Sequence, residues 1–197
     1  MGAGPAASDP RAVFLTGCPG AGKTSLLGPY AIRELGLGSG KVAVVAVDVV
    51  RELLDGYADG LGSMVVNTEA QLLTYNEVLP RAAQTGRHVL FDTIGRVDGS
   101  VASYKPGVEI LRAAGYQISV LLASSPVDLC IERAESRALK HGRIVPADFQ
   151  RTVRPEPPLA LQTLRDDGLV DDWAVLDTSA APVRILESVP PWKPPDA

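Results

Sequence analysis

The chemistry legible in this chain is concentrated in one short run. Gly17-Cys18-Pro19-Gly20-Ala21-Gly22-Lys23-Thr24 spells G-x-x-x-x-G-K-S/T in full. The glycines let the backbone curl so that successive N–H groups face a phosphate. A helix starting near Ser25 adds the positive end of its dipole. Gly17, Pro19, Gly20, Ala21, Gly22, Lys23, Thr24 and Ser25 are therefore the expected nucleotide-binding residues. In this motif the lysine reaches the β- and γ-phosphates and the Thr24 hydroxyl ligates Mg²⁺, so ATP and Mg²⁺ are the implied cofactors.

Two carboxylates stand where such a loop needs them. Asp48 ends the apolar run Val42–Val47. Ligands of open α/β sheets bind at the carboxyl ends of strands. Asp48 is thus either the general base for an attacking hydroxyl or the N-cap of the helix that follows. His88-Val89-Leu90-Phe91-Asp92 is an apolar strand ending in Asp, the pattern of a Walker B carboxylate serving Mg²⁺; the alternative is a cap on its own loop. Asp92-Thr93-Ile94-Gly95 also spells the D-x-x-G of GTPases, but no N-K-x-D for guanine accompanies it. Arg133, Arg137, Arg143, Arg151 and Arg154 crowd one stretch. Guanidinium matches phosphate as a planar fork. The stretch is either an arginine-bearing lid around 141–146 or a solvated charged face, since Glu132 and Glu135 are interleaved.

The elements that position these groups are short and apolar. Val13–Thr16, Val42–Val47, His88–Phe91, Gln117–Ala123 and Ala174–Leu176 read as strands buried on both faces. The intervening segments are long enough for crossover helices, so the expected fold is a three-layer α/β/α domain with a mostly parallel five-stranded sheet. Thr68 with Gln71 forms a candidate capping box, and Pro80 inside that helix predicts a kink. Pro29 lies in the second turn of the helix after the phosphate loop and predicts a bend there. Ser125-Pro126 places a cap residue before a first-turn proline, and the helix it opens should stop near Gly142.

Composition excludes several classes. The 197 residues are 46% apolar and 21% charged, ordinary for one globular domain. A net charge of −4 argues against a nucleic-acid groove or an anionic-membrane surface. No apolar run is long enough to span a bilayer, and the N-terminus lacks the pattern of a signal peptide. Cys18 and Cys130 form no disulfide framework, which fits a reducing cytoplasm. Residues 1–10 read as a flexible N-terminus, 11–188 as the domain and 189–197 as an extended Pro-rich tail.

Read in order, the motifs resemble the zeta-toxin family of P-loop kinases over about residues 13–178. The resemblance rests on G-C-P-G-A-G-K-T-S-L, V-A-V-D-V-V-R, V-L-F-D-T-I-G-R, A-G-Y, I-E-R, G-R-I-V-P-A-D-F and L-Q-T-L-R-D-D-G-L. It implies a nucleotide-kinase-like fold and transfer of the ATP γ-phosphate to a hydroxyl, in characterised members the 3′-hydroxyl of the sugar in UDP-N-acetylglucosamine. Carried over by motif, Lys23 and Thr24 hold ATP and Mg²⁺, Asp48 is the base and Asp92 is the acidic residue of the substrate site. Arg133 and Arg143 are the pair gripping the phosphates, and Arg51 and Arg96 belong to the acceptor side. Two differences also lie on that side: Asp92-Thr93-Ile94 stands where the family reads E-G-T, and no H-P follows Arg51. Rival expectations are a kinase of an antibiotic or nucleoside hydroxyl and a nucleotide switch that binds without transfer. An antitoxin partner is not inferable from the chain.

Overall fold

The computed structural model describes residues 7–37, 41–96, 104–189 and Trp192. Of the expected flexible N-terminus, residues 1–6 lie outside this set; of the expected tail, only Val189 and Trp192 lie inside it.

Six strands form one sheet in the order β2-β3-β1-β4-β5-β6. β1 (Arg11–Thr16), β2 (Val42–Ala46), β3 (His88–Asp92), β4 (Gln117–Ser124) and β5 (Asp172–Asp177) run parallel. β6 (Arg184–Ser188) pairs antiparallel with β5. The expected count of five strands is thus one short. β6 is an exposed edge strand, and its Arg-Ile-Leu-Glu-Ser lacks the continuous apolar run that marks the central strands.

β1 explains why the central strands read as unbroken hydrophobic runs. Ala12 and Phe14 face one helical layer, where Phe14 meets Phe91 edge-to-face with ring centroids 5.3 Å apart. Val13 and Leu15 face the other, among Leu27, Tyr30 and Leu121. Both sides of the pleat are covered, so period-two alternation still operates but both sets are apolar.

The helices that shape the site carry the two prolines, and each proline follows a wide turn. Lys23–Leu27 is π-helical and leads into α1 (Gly28–Glu34), with the Gly28 N–H bonded to Lys23 O. Thr74–Val78 is π-helical between α3 (Asn67–Leu73) and α4 (Leu79–Gln84), with the Leu79 N–H bonded to Thr74 O. Proline lacks an N–H and its ring presses on the carbonyl four residues back. A single wide turn before Pro29 and before Pro80 accommodates that carbonyl without breaking the helix.

Local capping differs from expectation. α3 begins at Asn67 after Val66 and has no side-chain cap, so the Thr68–Gln71 box does not form. α2 (Val47–Arg51) follows β2 directly. α6 (Val127–His141) starts after Pro126, and the Ser125 hydroxyl bonds Thr178 Oγ1 at 2.8 Å instead of capping it. α6 stops where expected, at Gly142 with φ +68°. α5 (Lys105–Ala113) precedes β4, and α7 (Ala147–Val153) and α8 (Glu156–Asp166) lie between α6 and β5. Trp192 is buried, with its ring stacked on Tyr30 and its Nε1 donating to Asp172 Oδ1 at 2.8 Å. Among the described residues no helix is long and apolar enough to cross a membrane.

Candidate active site

β1 lies at the point where the strand order reverses, between β3 and β4, which is where open α/β sheets bind ligands. The phosphate loop leaves β1 there. Its path requires glycine at two positions: a Cβ on Gly17 would lie 2.9 Å from Ala123 O, and one on Gly20 would collide with Cys130 O. The loop is thus wedged between β4 and α6. Lys23 folds back over it, with Nζ donating to Gly17 O at 3.0 Å and Cys18 O at 3.3 Å.

A cleft of about 670 Å³ opens above the loop, within the size range of small-molecule sites. Asp92, at the end of β3, faces the first helical turn across it. Its Oδ2 accepts from Thr24 Oγ1 at 2.6 Å and its Oδ1 lies 3.9 Å from Lys23 Nζ. Burial pushes the Asp92 pKa up, against the pull of Lys23 and the Thr24 hydroxyl.

Asp48 sits in the first turn of α2, one strand further out. The α2 terminus has no side-chain cap, and the carboxylate faces the cleft instead. Arg51 Nη1 donates to its Oδ1 at 2.8 Å, and Arg143 Nη1 donates to its Oδ2. Burial raises the Asp48 pKa, but Arg143 and Arg51 outweigh it and hold the group below the usual carboxylate range. Arg51 also reaches Asn67 Oδ1 through Nη2, which ties α2 to α3.

Arg143 approaches Asp48 from the far side of the chain because Gly142 is docked. The segment Asp55–Gly60 turns through Ala58 and Asp59, both at left-handed φ (46° and 52°), and a Cβ on Gly142 would lie 2.5 Å from Asp59 O. Arg133, the other member of the expected phosphate-gripping pair, lines the cleft too. Its Nη1 and Nη2 donate to Thr178 O at 2.9 Å and Ser179 O at 2.8 Å, at the end of β5.

The structure therefore brings Pro19, Gly20, Gly22, Lys23, Thr24 and Ser25 together with Asp48, Arg51, Asp92, Arg133 and Arg143 in one cleft. Gly17 and Ala21 stand behind the loop and shape it. Arg96 is a correction: it does not line the cleft, because its Nε donates to Glu156 Oε2 at 2.9 Å on α8. Arg151 pairs with Asp128 in solvent at 2.9 Å, and Arg154 lies beneath the phosphate loop beside Cys18. Arg137 of the expected arginine stretch lines the cleft too, as do Gln71 and Tyr75, which the sequence did not point to. Tyr75 is buried against Phe91 in the core, so only its edge reaches the cleft, four residues after Gln71.

The fold recurs in solved structures. The zeta toxin of the PezAT toxin–antitoxin system of Streptococcus pneumoniae superimposes with TM-score 0.72 at 16% identity, over 93% of this chain and 72% of that one. A structure of AvrRxo1-ORF1 with AvrRxo1-ORF2 matches with TM-score 0.64 at 15% identity, over 92% of this chain and 59% of that one. Shikimate kinase from Acinetobacter baumannii matches with TM-score 0.53 at 19% identity, over 87% and 86%. No curated protein sequence matches the chain. At these identities the structural likeness establishes the P-loop α/β fold. The zeta toxin family model matches residues 3–181, which span the phosphate loop, both carboxylates and the lid arginine, so the chain belongs to the zeta toxin family, a membership that implies ATP-dependent phosphotransfer.

Proposed function

We propose that this protein is an ATP- and Mg²⁺-dependent kinase that transfers the γ-phosphate to a hydroxyl of a small acceptor. A nucleotide sugar such as UDP-N-acetylglucosamine is the first acceptor to test, since the family resemblance implies it. The carrying observation is that Asp48 faces the same cleft as Lys23, Thr24 and Asp92 while being held by Arg143 of the lid loop.

The residues support a division of labour. Lys23 and the loop N–H groups bind and orient the phosphates. Thr24 Oγ1 and Asp92 Oδ2, 2.6 Å apart, are hard oxygen donors of the kind Mg²⁺ takes from a protein when phosphates and water complete its shell. Bound there, the ion would neutralise charge on the phosphate oxygens. Asp48 takes the proton of the acceptor hydroxyl. With Arg143 on it, Asp48 is a weak base. Movement of Arg143 to the incoming phosphates removes its strongest ion-pair partner and raises its basicity, so nucleotide binding readies the acceptor side.

The test is an ATP-consumption screen over nucleotide sugars, nucleosides and antibiotics, with the phosphorylated product identified by mass. The expected result is one acceptor class gaining a single phosphoryl group, with Asp48→Asn lowering turnover while ATP still binds. ATP binding with no acceptor phosphorylated would favour the nucleotide-switch reading.

A further inference from the structure

Five cationic side chains line the cleft, and four of them are engaged. Lys23 is held by loop carbonyls, Arg51 by Asp48 and Asn67, Arg143 by Asp48, and Arg133 by two backbone carbonyls. Arg137 is the fifth. Among the described residues it makes no hydrogen bond or ion pair, and its Nε is enclosed without an acceptor. An enclosed N–H with no partner is costly, and charged groups more so. Arg137 lies four residues after Arg133 on α6, on the same wall and about 6 Å nearer the lid loop. Among the described residues the cleft wall has Asp48 and Asp92 to set against these five cations, so its electrostatic complement is an anion.

We propose that Arg137 is a further polyphosphate-binding residue of the nucleotide site, added to Arg133 and Arg143 on the same cleft wall. This rests on the kinase reading of the cleft. An oxyanion gives Arg137 the acceptor its Nε lacks, and the guanidinium fork grips two oxygens at once. Arg133 spends one N–H of each Nη on Thr178 O and Ser179 O, at 2.9 and 2.8 Å, whereas Arg137 has its whole fork to offer.

The experiment is equilibrium binding of inorganic triphosphate, ATP and adenosine to the full chain, with melting temperature measured on every variant. Arg137→Ala is expected to lose ~10–100-fold in affinity for triphosphate and ATP, as for hydrogen bonds to a charged group, with adenosine binding and melting temperature unchanged. Arg137→Lys should recover part of the loss, because it keeps the charge but not the fork. Wild-type triphosphate affinity in Arg137→Ala would overturn the proposal, as would an equal loss of adenosine binding accompanied by a lower melting temperature. Lys23→Ala separates the two layers: if it loses triphosphate while Arg137→Ala does not, only the Arg137 assignment falls. If Lys23→Ala binds triphosphate normally, the kinase reading falls and takes the assignment with it.

Discussion

The two halves of the cleft are built in opposite ways. The donor half is backbone: a glycine loop wedged between β4 and α6, with Thr16, Leu15 and Cys130 buried beneath it. The acceptor and lid half is held by side chains. Asp48, Arg51, Asn67 and Arg143 link α2, α3 and the lid loop, and Leu53, Leu61, Met64 and Val65 around them are 69–82% exposed. Segments with little buried apolar surface open at low free energy. On the proposed kinase reading, the donor half is preorganised before ATP arrives, and the acceptor half is assembled by ion pairs that bound ATP would redistribute. A site that must close over a reaction needs both: a fixed place for the charge and a part free to move.

The largest expected effect breaks the donor half. Lys23→Ala should abolish phosphoryl transfer with an unchanged circular dichroism spectrum, because Nζ contacts loop carbonyls and the Asp92 carboxylate in the cleft rather than the core. Turnover in this variant would remove the division between the halves.

Arg143→Ala tests the lid half. Single-turnover phosphorylation should slow by ~10³–10⁵-fold, the range for an arginine acting on a transferring phosphoryl group. ATP affinity should change far less. A large loss of affinity with normal chemistry at saturation would instead place Arg143 in the ground-state nucleotide site.

Asp48→Asn should slow turnover by ~10²–10⁴-fold, the range for general base catalysis. Its pH dependence sharpens the comparison. The Asp48 pKa is depressed in the folded protein, so the carboxylate is present above that pKa and lost as pH falls through it. The acid limb of kcat/KM should therefore lie below the ordinary carboxylate range near ~4. In Arg143→Gln it should move up. An unmoved limb would mean that Arg143 does not control the base.

The smallest effect concerns stability. The Asp92 pKa is raised by burial, so the protonated form is favoured in the fold, and ionisation at neutral pH opposes folding. Asp92→Asn keeps an acceptor for Thr24 and removes the charge. It should raise Tm while abolishing Mg²⁺-dependent activity. A lowered Tm would show that the Lys23 and Thr24 contacts outweigh burial.

Much of the donor half was legible in the sequence. A phosphate loop is a local object: its glycines, its lysine and the strand before it lie within about a dozen residues, so identity and spacing determine its geometry. The parallel sheet was legible because strands buried on both faces leave an unmistakable apolar run. The zeta toxin resemblance followed from an ordered series of such local motifs. β6 was not legible, because an exposed edge strand is not required to be apolar. Nor was the failure of the Thr68–Gln71 box, because a cap depends on where the helix begins, and the helix starts with Val66 rather than Thr68 at its N-cap.

By itself, the sequence determined the nucleotide half, the strand-end carboxylates and the stop of α6 at Gly142. Only the tertiary structure decided which of several similar arginines lies beside which group. Arg96, Arg133, Arg137 and Arg143 are chemically identical, and each has a reach of several ångströms. Partners 60 residues away for Arg96, 45 for Arg133 and 95 for Arg143 set their positions. A long flexible cation takes its function from what the fold places beside it, and that information lies in the packing of α6, α8 and the end of β5 rather than in the neighbouring letters.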